Sequence, residues 1–331
     1  MNTFYRQAKS IFANEKAIGK RDIILFVTKV LVSAAIIIYL LQKIDFREVF
    51  SLLSVADPTF LAIAVALSFL NLYLQFIKWR IIAGKCLHIH ESRPIFLSLM
   101  HGLASGSFTP ARLGEYLGRK LALRDVSLFQ VTIATIVDKL FSLFVTLGIG
   151  SAAAILFLHF KSHISGYITI SLFIIFFFGV LLTAYLLTHQ SLWNSFLIRQ
   201  IKQIRFLKGV AYKFSLLKSL DSKTLWISMA VNTAFYSCFL LQYAILLKAL
   251  APAAQLVDTF WAGALMFFAK TIIPAVSLGE LGIREGASVF FAQQFGISEA
   301  AGLSAAIAIF IINIALPSLA GMFLFFKKYD A

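Results

Sequence analysis

Charge is scarce in this sequence. Of 331 residues only 14% are charged, and 15 acidic residues face 30 lysines and arginines. A soluble domain carries about a quarter charged residues, so a water-exposed surface of the usual kind is excluded. Cysteine is nearly absent too: Cys86 falls in a predicted polar loop and Cys238 inside a predicted span, which excludes a disulfide framework. Metal ligands do not cluster. His88, His90 and Glu91 form an H-x-H-E in a basic loop with no third ligand at diagnostic spacing, so no metal is expected. Gly-x-Ser-x-Gly, phosphate-loop and dinucleotide fingerprints are missing, and no cofactor is expected. What remains is apolar: 60% hydrophobic residues, 34 phenylalanines and a mean hydropathy of +0.86. These values indicate an all-α polytopic membrane protein. The net charge of +15 sits mainly at the ends of apolar runs, where it sets orientation and meets anionic lipid; no nucleic-acid partner is expected.

Taken in order, residues 1–22 are basic and read as cytoplasmic, and Ile23 to Leu41 reads as a retained first span, not a signal peptide. A short loop with Asp45, Glu48 and Asp57 reads as external. Thr59 to Ile77 then crosses back to Lys78, Arg80, Lys85 and Arg93. Ile95 to Pro110 is apolar but too short to span comfortably, and both its ends look cytoplasmic, which predicts a re-entrant hairpin. Val126 to Phe160 crosses outward, interrupted by Asp138-Lys139, and Tyr167 to Leu187 returns. The loop from Arg199 to Lys223 is the strongest inside signal; Thr224 to Leu247 goes out, Thr259 to Pro274 is a second short stretch, and Gly302 to Phe326 returns inside. The expected architecture is therefore six full transmembrane helices plus two re-entrant helical hairpins, with both termini cytoplasmic. Residues 1–165 and 166–331 would be the two halves of an inverted repeat within one membrane domain.

Two stretches repeat one another. Phe108-Thr-Pro110-Ala-Arg112-Leu-Gly114-Glu115-Tyr-Leu-Gly118-Arg119 and Ile273-Pro274-Ala-Val-Ser277-Leu-Gly279-Glu280-Leu-Gly282-Ile-Arg284-Glu285 both contain L-G-E-x-x-x-R, with Glu280 and Arg284 following Glu115 and Arg119 by the same 165 residues. If each proline is followed by a restarted helix, Glu and Arg at i and i+4 share a face, and the helix N-terminus offers free N–H groups to an anion. Arg112, Arg119 and Arg284 are candidates for holding a phosphate, with Glu115, Glu280 and Glu285 as balancing carboxylates. Asp138 and Lys139 form a second intramembrane pair, either a coupling group or a tie between helices. Lys270 lies in the second short stretch, where it reaches substrate or snorkels to the surface. Interfacial Arg–Glu pairs also serve as plain ties between helix ends; recurrence at one internal spacing favours the binding role.

These motifs, with V-D-K-L at Val137 to Leu140, resemble the integral-membrane domain of the lysylphosphatidylglycerol synthase and flippase family over nearly the whole chain. The resemblance implies a lipid-translocating module. In two-part members a soluble aminoacyl-transferase domain follows the membrane domain; here the chain ends at Ala331 after its last span, so synthase activity is not expected. Two departures stand out. Leu278-Gly279-Glu280-Leu-Gly282 replaces a common Gly-Gly-Leu-Gly, and Asp138-Lys139 replaces a common Asp-Arg, keeping the charge but losing the planar fork.

The expectation is a non-enzymatic lipid transporter of the cytoplasmic (inner) membrane, moving an anionic or aminoacylated phospholipid or a related lipid between leaflets. A polyprenyl-phosphate-dependent glycosyltransferase or other lipid-modifying enzyme is the alternative. It needs an external carboxylate cluster, which Asp45, Glu48 and Asp57 do not form. A third reading is an accessory subunit of a lipid-synthesis enzyme, docked through the basic loop.

Overall fold

The computed structural model describes residues 56–107, 109, 112–123, 125–189, 195, 220–273 and 282–326. The predicted first span, Pro110, Pro274, Glu280, most of the basic loop and both termini lie outside the described residues.

The described chain is helical, without a strand. Its helices are α1 (Pro58–Leu87), α2 (Ser92–Ser107), α3 (Gly114–Leu121), α4 (Leu128–Phe160), α5 (Gly166–Thr188), α6 (Ser222–Leu250), α7 (Leu256–Ile272), α8 (Ile283–Gln294), α9 (Glu299–Phe310) and α10 (Leu316–Phe326). A π-helical turn, Ile311–Ala315, joins α9 to α10 without a break, so the three form one long helix. In hydrocarbon a chain must satisfy its own backbone hydrogen bonds, and long apolar helices do so. Five are long and apolar enough to cross a membrane: α1, α4, α5, α6 and the α9–α10 unit. By contrast α2, with 16 residues, and α7, with 17, measure about 24–26 Å against a hydrocarbon core of about 30 Å.

Polar caps set the boundaries. The Asp57 carboxylate accepts from Thr59 N at 2.8 Å, with Pro58 in the first turn, and the left-handed His88 (φ 57°) closes α1. Ser127 and Gln130 form a capping box at α4, and the Asp221 carboxylate accepts from Thr224 N at 3.2 Å at α6.

Helix order runs long, short, short, long twice over, in α1–α4 and again in α6–α10. Packing is reciprocal between the runs. The short α2 lies against α10 of the other run, α7 lies against α4, and α1 and α6 pack along each other. Gly321 of α10 sits under the Met100 carbonyl of α2, and Gly150 of α4 under Phe268 of α7. Two buried apolar clusters centre on the two runs, one around Trp79, Ile82, Leu99, Ile133 and Phe141, the other around Tyr243, Leu246, Met266, Ala301 and Ile309, and each takes in residues of the other run, Leu225 in the first and Ala64 and Val145 in the second. Helix α5 is peripheral, with only Thr169 and Leu187 buried and Ile175 and Phe178 exposed, a surface suited to lipid.

One predicted boundary is corrected. Thr59 to Ile77 was expected to be followed by a loop containing Lys78, Arg80, Lys85 and Cys86, but α1 continues to Leu87. Lys78 is a buried helical residue and Cys86 is buried as well. A lysine inside a span looks like a terminator in sequence; here an acidic partner on α4, Asp138 at 3.8 Å, offsets part of that penalty.

Candidate functional site

The first motif folds as a tight turn feeding a short helix. Thr109 Oγ1 accepts from Gly114 N at 2.7 Å, and Arg112 takes a left-handed conformation (φ 55°) that costs a non-glycine residue about 1–2 kcal/mol. Strain of this kind is retained where geometry matters. α3 begins at Gly114 and packs on α2 backbone to backbone. A Cβ on Gly114 would lie 2.3 Å from the Ser105 carbonyl oxygen, and one on Gly118 2.3 Å from that of His101. Gly102 and Gly106 on α2 face the Arg119 and Glu115 side chains in turn. Two small-x-x-x-small faces, Gly102/Gly106 and Gly114/Gly118, thus bring the charged side of α3 against α2.

The charges on α3 are shared with α1 and α4. Arg119 Nη2 donates to Glu115 Oε1 at 2.7 Å, and both of its terminal nitrogens reach Asp138 Oδ2 at 3.3 Å. Its guanidinium lies 4.1 Å from the Trp79 ring centroid, and the Trp79 indole N–H donates to Ser98, whose hydroxyl donates to the Arg119 carbonyl. Glu115 Oε2 meets Lys139 Nζ at 2.9 Å and Arg112 Nε at 3.5 Å. Lys78 Nζ lies 3.8 Å from Asp138 Oδ1 and donates to Ser142 Oγ at 2.6 Å; that hydroxyl donates to Asn232 Oδ1 at 2.7 Å. One connected network therefore runs from α3 through α4 and α1 to α6.

This network lines a cavity of about 310 Å³, enough for about ten waters and at the small end of ligand sites. Lys78, Arg112, Arg119, Lys139 and Lys270 line it against Glu115 and Asp138, so the described charged groups give five minus two, or +3. The opposite wall is aromatic and amide, with Phe235, Tyr236, Phe239, Phe267 and Asn313. The Tyr236 hydroxyl and Arg119 Nε are buried without a hydrogen-bond partner among the described residues.

Of the residues singled out in the sequence, the cavity brings together Arg112, Glu115, Arg119, Asp138, Lys139 and Lys270. Arg284 and Glu285 are not in its lining. α8 starts at Ile283, so Arg284 lies in its first turn and pairs with its neighbour Glu285, Nη2 to Oε1 at 2.5 Å. Gly282, in a conformation that glycine alone adopts readily (φ 96°), donates its N–H to Glu285 Oε2 at 2.7 Å, and Phe310 lies 4.8 Å from the guanidinium. The expected i, i+4 pairing is present for Glu115 and Arg119; Glu280, the expected partner of Arg284, is outside the described residues.

The sequence reading missed Lys78, Gln75 and Trp79. Asn71, Gln75 and Lys78 recur at i, i+4 and i+7 within an apolar helix, a polar stripe that could have marked the face of α1 turned toward α4 and α6.

No curated protein matches the chain. A family model for the lysylphosphatidylglycerol synthase TM region matches residues 26–321, and with its long apolar helices the chain belongs to that family as a multi-pass membrane protein with a lipid-related role.

Proposed function

We propose that this protein moves a lipid with a charged headgroup between the leaflets of the cytoplasmic membrane, without catalysing a chemical step. The observation that carries the reading is the cationic cavity between the helices: its described charged groups sum to +3 beside aromatic and amide groups, joined in one ion-pair network. Taking a charged headgroup into hydrocarbon alone costs several kcal/mol or more, and a polar cavity at depth lowers that barrier. Five described helices can cross, and with the first span expected from the sequence they make six crossings in this reading, α2–α3 and α7–α8 being hairpins that return to the face they entered. The crossed packing of α2 on α10 and α7 on α4 supports two halves related by a two-fold axis in the membrane plane, a frame suited to alternating access. In this reading both termini are cytoplasmic and Arg112, Arg119 and Lys139 hold the headgroup, while Arg284 and Glu285 fix the start of α8. A lipid-synthesis enzyme is the expected source of the cargo.

The test is a proteoliposome assay in which a fluorescent phosphatidylglycerol in the outer leaflet is bleached by an impermeant reductant. The protein should make the protected inner pool accessible, and Arg112→Gln with Lys139→Gln should abolish that effect. Protein-free kinetics from correctly folded wild type would refute the reading.

A further inference from the structure

The cavity's charge is unevenly placed, and the unevenness specifies a headgroup. Among the described residues, both lining carboxylates are already engaged by more than one cation: Glu115 by Arg119, Lys139 and Arg112, and Asp138 by Arg119 and Lys78. An incoming ammonium would compete with fixed cations for each of them. Of the aromatic rings in the lining, Phe235 already holds Lys78, 4.4 Å from its centroid, and Phe239 and Phe267 pack edge-on against each other at 5.1 Å. An anion meets the opposite situation, since among the described lining groups five lysines and arginines stand against two carboxylates.

The far side of the cavity is neutral but polar. Helices α1 and α6 start at Pro58 and Ser222, 164 residues apart (222 − 58), and α4 and α9 start at Leu128 and Glu299, 171 apart (299 − 128). At the same two spacings, the Lys78–Ser142 contact of one run becomes the Gln242–Asn313 contact of the other, Asn313 Nδ2 donating to Gln242 Oε1 at 2.5 Å. Where one run has an ammonium the other has amides. Asn313 lines the cavity, as does Tyr236, a residue 6% exposed whose buried hydroxyl has no partner among the described residues. A buried hydroxyl without a partner is costly, and a ligand hydroxyl would satisfy it.

We propose that this cavity selects a phosphate headgroup carrying a neutral, hydroxyl-bearing substituent, as in phosphatidylglycerol, and discriminates against headgroups bearing an ammonium, the aminoacylated ones above all. The phosphate sits among Arg112, Lys139 and Lys270, and the hydroxyls reach Tyr236 and Asn313. The inference rests on the lipid-transport reading and names its cargo class.

The experiment titrates the purified full chain in neutral detergent with short-chain phosphatidylglycerol, phosphatidylethanolamine, lysyl-phosphatidylglycerol, glycerol phosphate and inorganic phosphate, following thermal stabilisation. Phosphatidylglycerol should bind at least about tenfold tighter than lysyl-phosphatidylglycerol, since one unit charge at contact in a site of low dielectric outweighs that factor. Gln75→Glu adds a carboxylate to the lining, where Asn71, whose Nδ2 has no hydrogen-bond partner among the described residues, can turn its amide to donate. This variant should narrow the preference by about tenfold. Tyr236→Phe should weaken phosphatidylglycerol without weakening lysyl-phosphatidylglycerol equally. Equal or tighter binding of the lysyl lipid, or a ratio unmoved by Gln75→Glu, overturns the selectivity while leaving lipid transport standing. Inorganic phosphate binding as tightly as the lipid makes the cargo a soluble anion and overturns the proposal. Binding of no probe overturns both the proposal and the transport reading beneath it.

Discussion

Arg119 is the hub of the charged network, and its removal has a calculable effect. Arg119→Ala leaves Glu115 and Asp138, both buried, without the guanidinium that now contacts each of them at 2.7 and 3.3 Å. Deleting one partner of a buried ion pair costs about 3–5 kcal/mol, because the other charge stays buried and uncompensated. Lys78 at 3.8 Å and Lys139 at 2.9 Å soften this loss, and the lost stacking on Trp79 adds to it. For a chain of 331 residues the expected fall in Tm is roughly 4–7 °C. Asp138→Asn removes one of the stranded charges, so the double variant should recover part of the loss, with a coupling of about 1–3 kcal/mol between the two sites. The assay is thermal unfolding in detergent of wild type, both single variants and the double variant. Arg119→Lys serves as an intermediate that keeps the charge and loses the two-pronged contact. A change under about 1 °C for Arg119→Ala, or strictly additive effects in the cycle, would refute the reasoning.

Gly118→Ala places a methyl 2.3 Å from the His101 carbonyl oxygen, so α2 and α3 must separate; the expected loss is about 1–3 kcal/mol or more, with fluorescent-lipid flipping impaired in parallel. Arg284→Gln should lower thermal stability through the start of α8 yet leave the ratio of phosphatidylglycerol to lysyl-phosphatidylglycerol binding unchanged, since its charge is spent on Glu285. Asp221→Ala removes the N-cap of α6 and should cost about 1 kcal/mol in a chemical unfolding titration. The Thr224 hydroxyl and N–H, which donate to Asp221, hold its carboxyl below the ordinary range, as does Lys85 nearby. Its contribution is therefore present above the unfolded-state value and lost as pH falls through the lower folded one.

The apolar runs made most of the fold legible, because a membrane leaves few choices for such a segment: α4, α5 and α6 begin and end within three residues of the expected positions. The first motif was legible for a similar reason. Glutamate and arginine four apart beside a turn have one economical arrangement in a buried site, and Glu115 and Arg119 adopt it. Lys78 was not legible, since a lone lysine at the end of an apolar run looks the same whether it meets water or an aspartate from another helix. The second motif is legible only in its last residues: α8 starts at Ile283, and Arg284 there meets Glu285 and Phe310, while Glu280 lies outside the described residues. A matching string cannot convey where a helix begins; Gly282 and the Glu285 cap decide that. The paired glycines of α2 and α3 carried a usable signal, two small-x-x-x-small faces within 17 residues, and they explain why the charged helix docks where it does.

The most direct test of the central claim, that the cationic cavity holds a lipid headgroup, is native mass spectrometry of the purified protein beside an Arg112→Gln, Lys139→Gln variant. These two side chains are 23% and 39% exposed, so their loss perturbs the fold less than loss of Arg119. The account predicts that wild type retains a phosphate-bearing lipid with a neutral headgroup substituent and that the variant, folded to the same Tm within a few degrees, loses it. The same lipids retained in the same proportions by both proteins would contradict it.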